Sequence, residues 1–120
     1  MKNRILIIDD EIDVVSVTVA RLEASGYKFL IANSAEEALE LLKKDKPDLI
    51  LLDLLLPNMQ GDTLCIQLKS DAKFKGIPII LFTASIVRIP QKIKEMGVDD
   101  YVMKPFKPEE LLFKIKKLIG

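Results

Sequence analysis

Five apolar runs punctuate the chain: ILII at 5–8, YKFLIA at 27–32, LILL at 49–52, IPIILF at 77–82 and the weaker DYVM at 100–103. The runs at 5–8, 49–52 and 77–82 are nearly continuous. A strand with one wet face alternates apolar and polar positions, whereas an unbroken run suits a strand covered on both faces of a parallel sheet. YKFLIA is more polar and is expected at a sheet edge.

Between the runs the apolar spacing turns helical. Residues 11–25 place Val15, Val19 and Leu22 on one face. NSAEEALELLKK begins with Ser34 and has Glu37 three positions on, a capping box, ahead of a face of Ala38, Leu41 and Leu42. Residues 62–72 group Leu64, Cys65, Leu68 and Ala72. A short helix is predicted over 90–96, with Pro90 in its first turn. The last helix, 108–119, carries a stripe of Leu111, Leu112, Ile115, Leu118 and Ile119.

Strand and helix therefore alternate five times. That order implies parallel strands, right-handed crossovers and helices on both faces. Five units are too few for an eight-stranded barrel, so an open, doubly wound α/β sheet is expected, with 1–120 as one domain. In such sheets ligands bind beyond the carboxyl ends of the strands.

Composition narrows the function. The chain has 120 residues, 49% of them hydrophobic, enough for one buried core. Lys plus Arg and Asp plus Glu both total 18, so no net field favours nucleic acid or a membrane surface. No apolar stretch reaches the roughly 20 residues of a membrane span, and acids interrupt the first apolar run at once, unlike a signal peptide. Cys65 is the only cysteine, which excludes an internal disulfide and fits a cytoplasmic setting. Its surroundings, TLCIQLK, read as core. With no histidine, the chain has no histidine base, ligand or phosphocarrier. Lys114, Lys116 and Lys117 read as a solvated face.

The predicted strand ends carry the chemistry. The first ends in Asp9, Asp10 and Glu11, the third in Asp53, the fourth in Phe82 and Thr83, followed by Ala84 and Ser85, and the fifth in Met103, Lys104 and Pro105. Gathered at one sheet edge, the carboxylates repel one another, and a hard divalent cation relieves that repulsion. Oxygen donors without histidine or thiolate favour Mg²⁺ over zinc or copper. The plainer alternative is that Asp9, Asp10 and Glu11 only cap the first helix. A flavin or nucleotide site fits poorly, because DDEID repels phosphate and no glycine-rich phosphate loop is present. Asp53, Lys104, Thr83 and a cation together supply a nucleophile, a bridging charge and donors, the set that phosphoryl transfer needs.

LIIDDE, LLDLLLPNMQG, FTA and DYVMKPF occur in an order and spacing that resemble the receiver domain of two-component response regulators, over essentially the whole chain. The resemblance implies a flavodoxin-like (βα)5 sandwich with strand order 2-1-3-4-5. It implies that Asp53 is the phosphoacceptor, served by a sensor histidine kinase or a histidine phosphotransfer protein. Asp10 would bind Mg²⁺ (or Mn²⁺) directly and Asp9 through water, with the Leu55 backbone carbonyl as a further ligand. Thr83 and Tyr101 would be switch residues, Lys104 would pair with Asp53 or its phosphate, and the bond to Pro105 would be cis. The output would pass to an unknown protein through the face of residues 86–119, from a monomer or a weak phosphorylation-dependent dimer, with no contact to nucleic acid or membrane. The segment from Thr83 to Lys104 is about one residue shorter than the family pattern, so a short or displaced fourth helix is expected. Ile86, Val87 and Ile89 offer either a partner patch or packed loop. A Mg²⁺-dependent phosphatase is the competing enzyme class, but its second acid would fall at Leu55. A third class, a passive binding module with a dead site, is opposed by the intact acid, hydroxyl and lysine set.

Overall fold

The computed structural model describes residues 3–54, 56, 61–83 and 95–119, with the side chains of Asp62 and Thr83 outside that description. The strands are β1 (Arg4–Ile8), β2 (Lys28–Ala32), β3 (Leu49–Leu52), β4 (Ile79–Thr83) and β5 (Asp100–Met103). The helices are α1 (Ile12–Ala24), α2 (Ala35–Lys44), α3 (Gly61–Lys69) and α4 (Pro108–Ile119). All strand pairs are parallel, in the order β2-β1-β3-β4-β5. The doubly wound expectation is met, and the polar YKFLIA run does supply an edge strand.

Two apolar clusters explain the unbroken runs. Leu6, Ile8, Ile50, Leu52, Ile79 and Leu81 point to one side, against Ala38 and Leu42 of α2 and Leu64, Cys65 and Leu68 of α3. Ile5, Ile7, Leu49, Leu51, Ile80 and Phe82 point to the other, against Leu22 of α1 and Leu111 and Ile115 of α4. Successive residues serve opposite faces, and both faces are covered. Each such Leu or Ile contributes about 1.5–3 kcal/mol by leaving water. Cys65 is fully buried in the first cluster.

Local chemistry sets the ends of the elements. Ser34 Oγ accepts the Glu37 N–H at 3.2 Å, as a capping box requires, while Glu37 Oε1 takes the Asn33 N–H at 2.7 Å, one residue earlier than the usual reciprocal bond. Two expected boundaries are corrected. α3 stops at Lys69 rather than 72, because Ser70 turns its hydroxyl back to the Ile66 carbonyl and Asp71 accepts the Lys73 N–H, opening a turn that leaves Ala72 exposed. β4 starts at Ile79 rather than 77, because the Ile77 N–H is used by Phe74 and Pro78 has none. The predicted helix over 90–96 lies outside the described residues up to 94. Only Glu95 and Met96 are described, and they are helical. Residues Ser85, Ile86, Val87 and Ile89 also lie outside the described residues.

Gly61 opens α3 directly beneath the end of β3. Its N–H donates to the Leu54 carbonyl at 2.8 Å. A Cβ there would collide with the Asp53 carbonyl oxygen, and would lie 2.7 Å from Leu54 Cα and 3.0 Å from the Asp53 carbonyl carbon, all backbone atoms. Gly61→Ala is therefore expected to destabilise the fold by about 1–3 kcal/mol in urea denaturation, although alanine is the better helix former. An unchanged midpoint would refute the close approach.

Candidate functional site

Three strands deliver the site. The Asp53 N–H donates to Ile8 O and the Asp9 N–H to Ala32 O, both at 3.0 Å, so the sheet ladder continues one residue beyond β3 and β1 and fixes both backbones. Asp9 is fully buried and Asp53 is 1% exposed. Buried carboxylates need partners, and Lys104, just past β5, provides one. Its Nζ donates to Asp9 Oδ2 at 2.7 Å, to Glu11 Oε1 at 2.7 Å and to Asp53 Oδ2 at 3.2 Å. The ammonium also sits 4.9 Å from the centre of the Phe82 ring, a favourable contact for a cation. The Lys104–Pro105 bond is cis.

Asp9, Asp10 and Asp53 each present a carboxylate oxygen, all within 4.8 Å of one another. The donors are hard oxygens converging on a space of ionic size, so this set fits a hard divalent cation. Glu11 is not part of it. The three adjacent acids therefore divide: two face Asp53, and the third turns to Lys104. The capping alternative accounts for less. Glu11 is the N-cap of α1, but its side chain makes no cap bond; instead Asp9 Oδ1 accepts the Glu11 N–H at 2.9 Å.

Among the described residues the charges are unevenly matched, with one ammonium serving three carboxylates. Burial pushes the Asp9 carboxyl above its ordinary 3.8; the hydrogen bonds from Lys104 and the Glu11 backbone and the charge of Lys104 oppose this, while the charge of Asp53 adds to it. Burial pulls Lys104 down, yet the bonds to Asp9 and Glu11 and the charges of Asp53 and Asp9 outweigh it, leaving Lys104 above 10.5. The two directions agree: a shared cation gains on balance, and a buried acid is left short.

Thr83 ends β4 in register with Met103, so its backbone stands at the same sheet edge; its hydroxyl lies outside the described atoms. Leu55 also lies outside the described residues. Tyr101 stands on β5, half-buried against the α2–α3 side of the core. Lys114 corrects an expectation, since it is not simply solvated. Its Nζ donates to the Tyr101 carbonyl at 2.5 Å, lies 3.3 Å from Asp100 Oδ1, and sits 5.0 Å from the Tyr101 ring centre. Lys116 and Lys117 are exposed as expected. Sequence reasoning missed the Glu11–Lys104 pair and the Phe82 ring beside Lys104, since spacing along the chain does not say which way three adjacent acids turn.

A hollow of about 840 Å³ lies away from this site. It is lined by residues of α2 and α3 and of the segments that follow them, including Leu39, Lys43, Gln67 and Phe74. Beside Asp9 and Asp10 the hollow is only about 100 Å³. The donor set marks the site here, and volume does not.

Fold and site together define a doubly wound α/β protein with an acidic, lysine-bridged cleft at the carboxyl edge of its sheet. The chain belongs to the response regulator receiver domain family, whose model matches residues 5–116, and it is a receiver domain of two-component systems. It is 38% identical over 120 residues, 99% of its length, to the alkaline phosphatase synthesis transcriptional regulatory protein PhoP of Bacillus subtilis (strain 168), and covers 49% of that protein. The chain thus spans about half the length of the curated relatives it matches. A CheY-like response regulator receiver domain protein from Methanospirillum hungatei JF-1 superposes with a TM-score of 0.88 at 33% identity, covering 98% of this chain and 93% of that one. The receiver domain of the sensor histidine kinase PA1611 from Pseudomonas aeruginosa PAO1, solved with a magnesium ion coordinated in its active-site cleft, superposes at 0.89 with 26% identity, covering 100% and 99%. Receiver domains are phosphotransfer switches that work with histidine kinases, and the family does not favour the phosphatase alternative. Among the described residues no helix is long and apolar enough to cross a membrane.

The sign of the Asp9 shift gives a test. A carboxyl raised in the folded state adds stability only while protonated, below the unfolded value of 3.8, and that advantage is lost as pH rises through the folded value. At pH 7 the charged form therefore costs stability. Asp9→Asn, which keeps an oxygen for the Glu11 N–H, is expected to raise the urea midpoint of the metal-free chain at pH 7. The gain should shrink to nothing as pH falls below 3.8. A lowered midpoint at pH 7 would mean that the Lys104 bond outweighs burial.

Proposed function

We propose that Asp53 accepts a phosphoryl group from a phosphohistidine on a sensor histidine kinase or a histidine phosphotransfer protein, and that the modified carboxylate switches protein–protein contacts. One observation carries this reading: a buried carboxylate at a strand end is bonded to a buried ammonium and shares an ion-sized space with two further carboxylates. A structural ion pair needs one acid and one base, whereas phosphoryl transfer needs a nucleophile and positive charge on several oxygens.

An Asp53 oxygen attacks phosphorus as the phosphorus–nitrogen bond breaks, and the electron pair of that bond returns to the donor imidazole. The strand backbone holds Asp53 for in-line approach, and its burial keeps bulk water from the carboxylate. Asp10 directly, Asp9 through water, Asp53 and the Leu55 carbonyl would hold Mg²⁺, and the same oxygens suit Mn²⁺. When bound, that ion supplies positive charge to the phosphoryl oxygens. The magnesium in the PA1611 receiver supports the assignment. Lys104 gives a second cationic contact to the transferred group, and Thr83, at the end of β4, gives a hydroxyl donor. The new group brings about two negative charges, which draw Lys104 and Thr83 inward. Tyr101, on the strand that Lys104 directly follows, repacks in response.

The domain promotes its own phosphorylation and dephosphorylation and turns over no external substrate. Its output passes to a protein through the face of residues 86–119, where Met103 and Phe113 are exposed. It acts in the cytoplasm, as a monomer or a weak phosphorylation-dependent dimer, without touching nucleic acid or membrane itself.

Phosphoramidate, a small phosphorus–nitrogen donor, tests the acceptor without a kinase. With Mg²⁺, the wild-type chain is expected to gain one phosphoryl group by intact-mass measurement, and Asp53→Asn to gain none. Undiminished labelling of the variant would overturn the assignment.

A further inference from the structure

Lys104 and a divalent cation draw on the same carboxylates. Asp9 Oδ2 and Asp53 Oδ2 both accept from the Lys104 ammonium, and Asp9 and Asp53 are two of the three carboxylates that converge within 4.8 Å. Two positive centres held by the same two carboxylates repel each other. An entering cation therefore weakens the ammonium's hold on Asp9 and Asp53, and the Lys104 side chain is only 7% exposed, so it cannot simply turn to water. A buried ammonium without a partner is costly.

Glu11 supplies the alternative partner. Its Oε1 lies 2.7 Å from Lys104 Nζ, as close as Asp9 and closer than Asp53. Unlike those two, Glu11 stands outside the converging triad, and its side chain is 55% exposed. It makes no helix-cap bond that would hold it elsewhere.

We propose that Glu11 is a positioning residue that retains the Lys104 ammonium when a divalent cation enters beside Asp9 and Asp53, so that Lys104 stays in place for the phosphoryl group. Glu11 acts through Lys104 and need not touch the metal. The inference rests on the metal assignment given above and adds a residue to it.

The test is a double-mutant cycle on Mg²⁺ affinity, measured by titration calorimetry on the 120-residue chain without any phosphoryl donor. Glu11→Gln keeps the size of the side chain and removes its charge; Lys104→Met removes the ammonium. Glu11→Gln is expected to weaken Mg²⁺ binding in the wild-type background by roughly three- to tenfold more than in the Lys104→Met background, a coupling typical of groups in one ion-pair network. If Glu11 merely attracted the metal through space, the loss would be equal in both backgrounds, and the proposal would fall while the metal site stood. A larger loss in the Lys104→Met background would make Glu11 a direct ligand and would also overturn it. Absent Mg²⁺ binding by the wild-type chain would remove the metal assignment itself, and the inference with it. Glu11 is exposed, so its variant should fold. For Lys104→Met, an unchanged far-ultraviolet circular dichroism spectrum confirms that affinities of folded chains are being compared.

Discussion

The repulsion among carboxylates gathered at one sheet edge is the constraint around which the rest is arranged. Asp9 and Asp53 are buried, and Asp10 stands beside them. Nothing in an apolar fold favours such a grouping, and a single charge buried without compensation is already costly. Lys104 reaches in from the opposite edge strand, β5, and its ammonium bonds to the acids that end β1 and β3. The two edges of the site are thus tied by charge across strands that are not neighbours. The arrangement works because parallel topology puts all the strand ends on one side, so residues far apart in sequence meet without long loops.

Much of this was legible from the chain, for a physical reason. A strand covered on both faces has no position left for polar residues, so ILII, LILL and PIILF announce themselves without any partner being known. The point where each run meets its first charged or hydroxylic residue then marks the functional edge. Asp9 after Ile8, Asp53 after Leu52 and Lys104 after Met103 are all found there. The Ser34 cap was legible because the bond is local, spanning three residues.

What was not legible depended on competition between backbone and side-chain partners, or on direction in space. The start of β4 was misplaced because Ile77 is apolar and buried like a strand residue, yet its N–H closes a turn with Phe74. Hydropathy reads burial and is blind to where the N–H goes. Ala72 continued the helical spacing of α3, but Ser70 and Asp71 had already begun the turn. Lys114 looked like one of three equivalent lysines on the last helix. Only packing against β5 distinguishes it, by placing its ammonium between Asp100 and the Tyr101 ring. Glu11 failed for a similar reason: three acids in a row look alike until the backbone turn into α1 sends them in different directions.

These placements bear on how a charge added at one strand end is felt elsewhere. Lys104 follows β5 directly, and Tyr101 lies within it, three residues back. The carbonyl of Tyr101 is held by Lys114 of α4, and Leu111 and Ile115 of that helix pack in the same cluster as Val102. A pull on the Lys104 ammonium therefore acts on a short edge strand that is fixed on one side by β4 and on the other by an ion-paired lysine. β1 and β3 have strand neighbours on both sides, so they hold the acids still. Among the described residues β5 has only one, and its outer edge carries a polar clasp, which can rearrange at far less cost than a packed core. Rigidity is concentrated where the phosphoryl group would be received, and compliance where a response would be read.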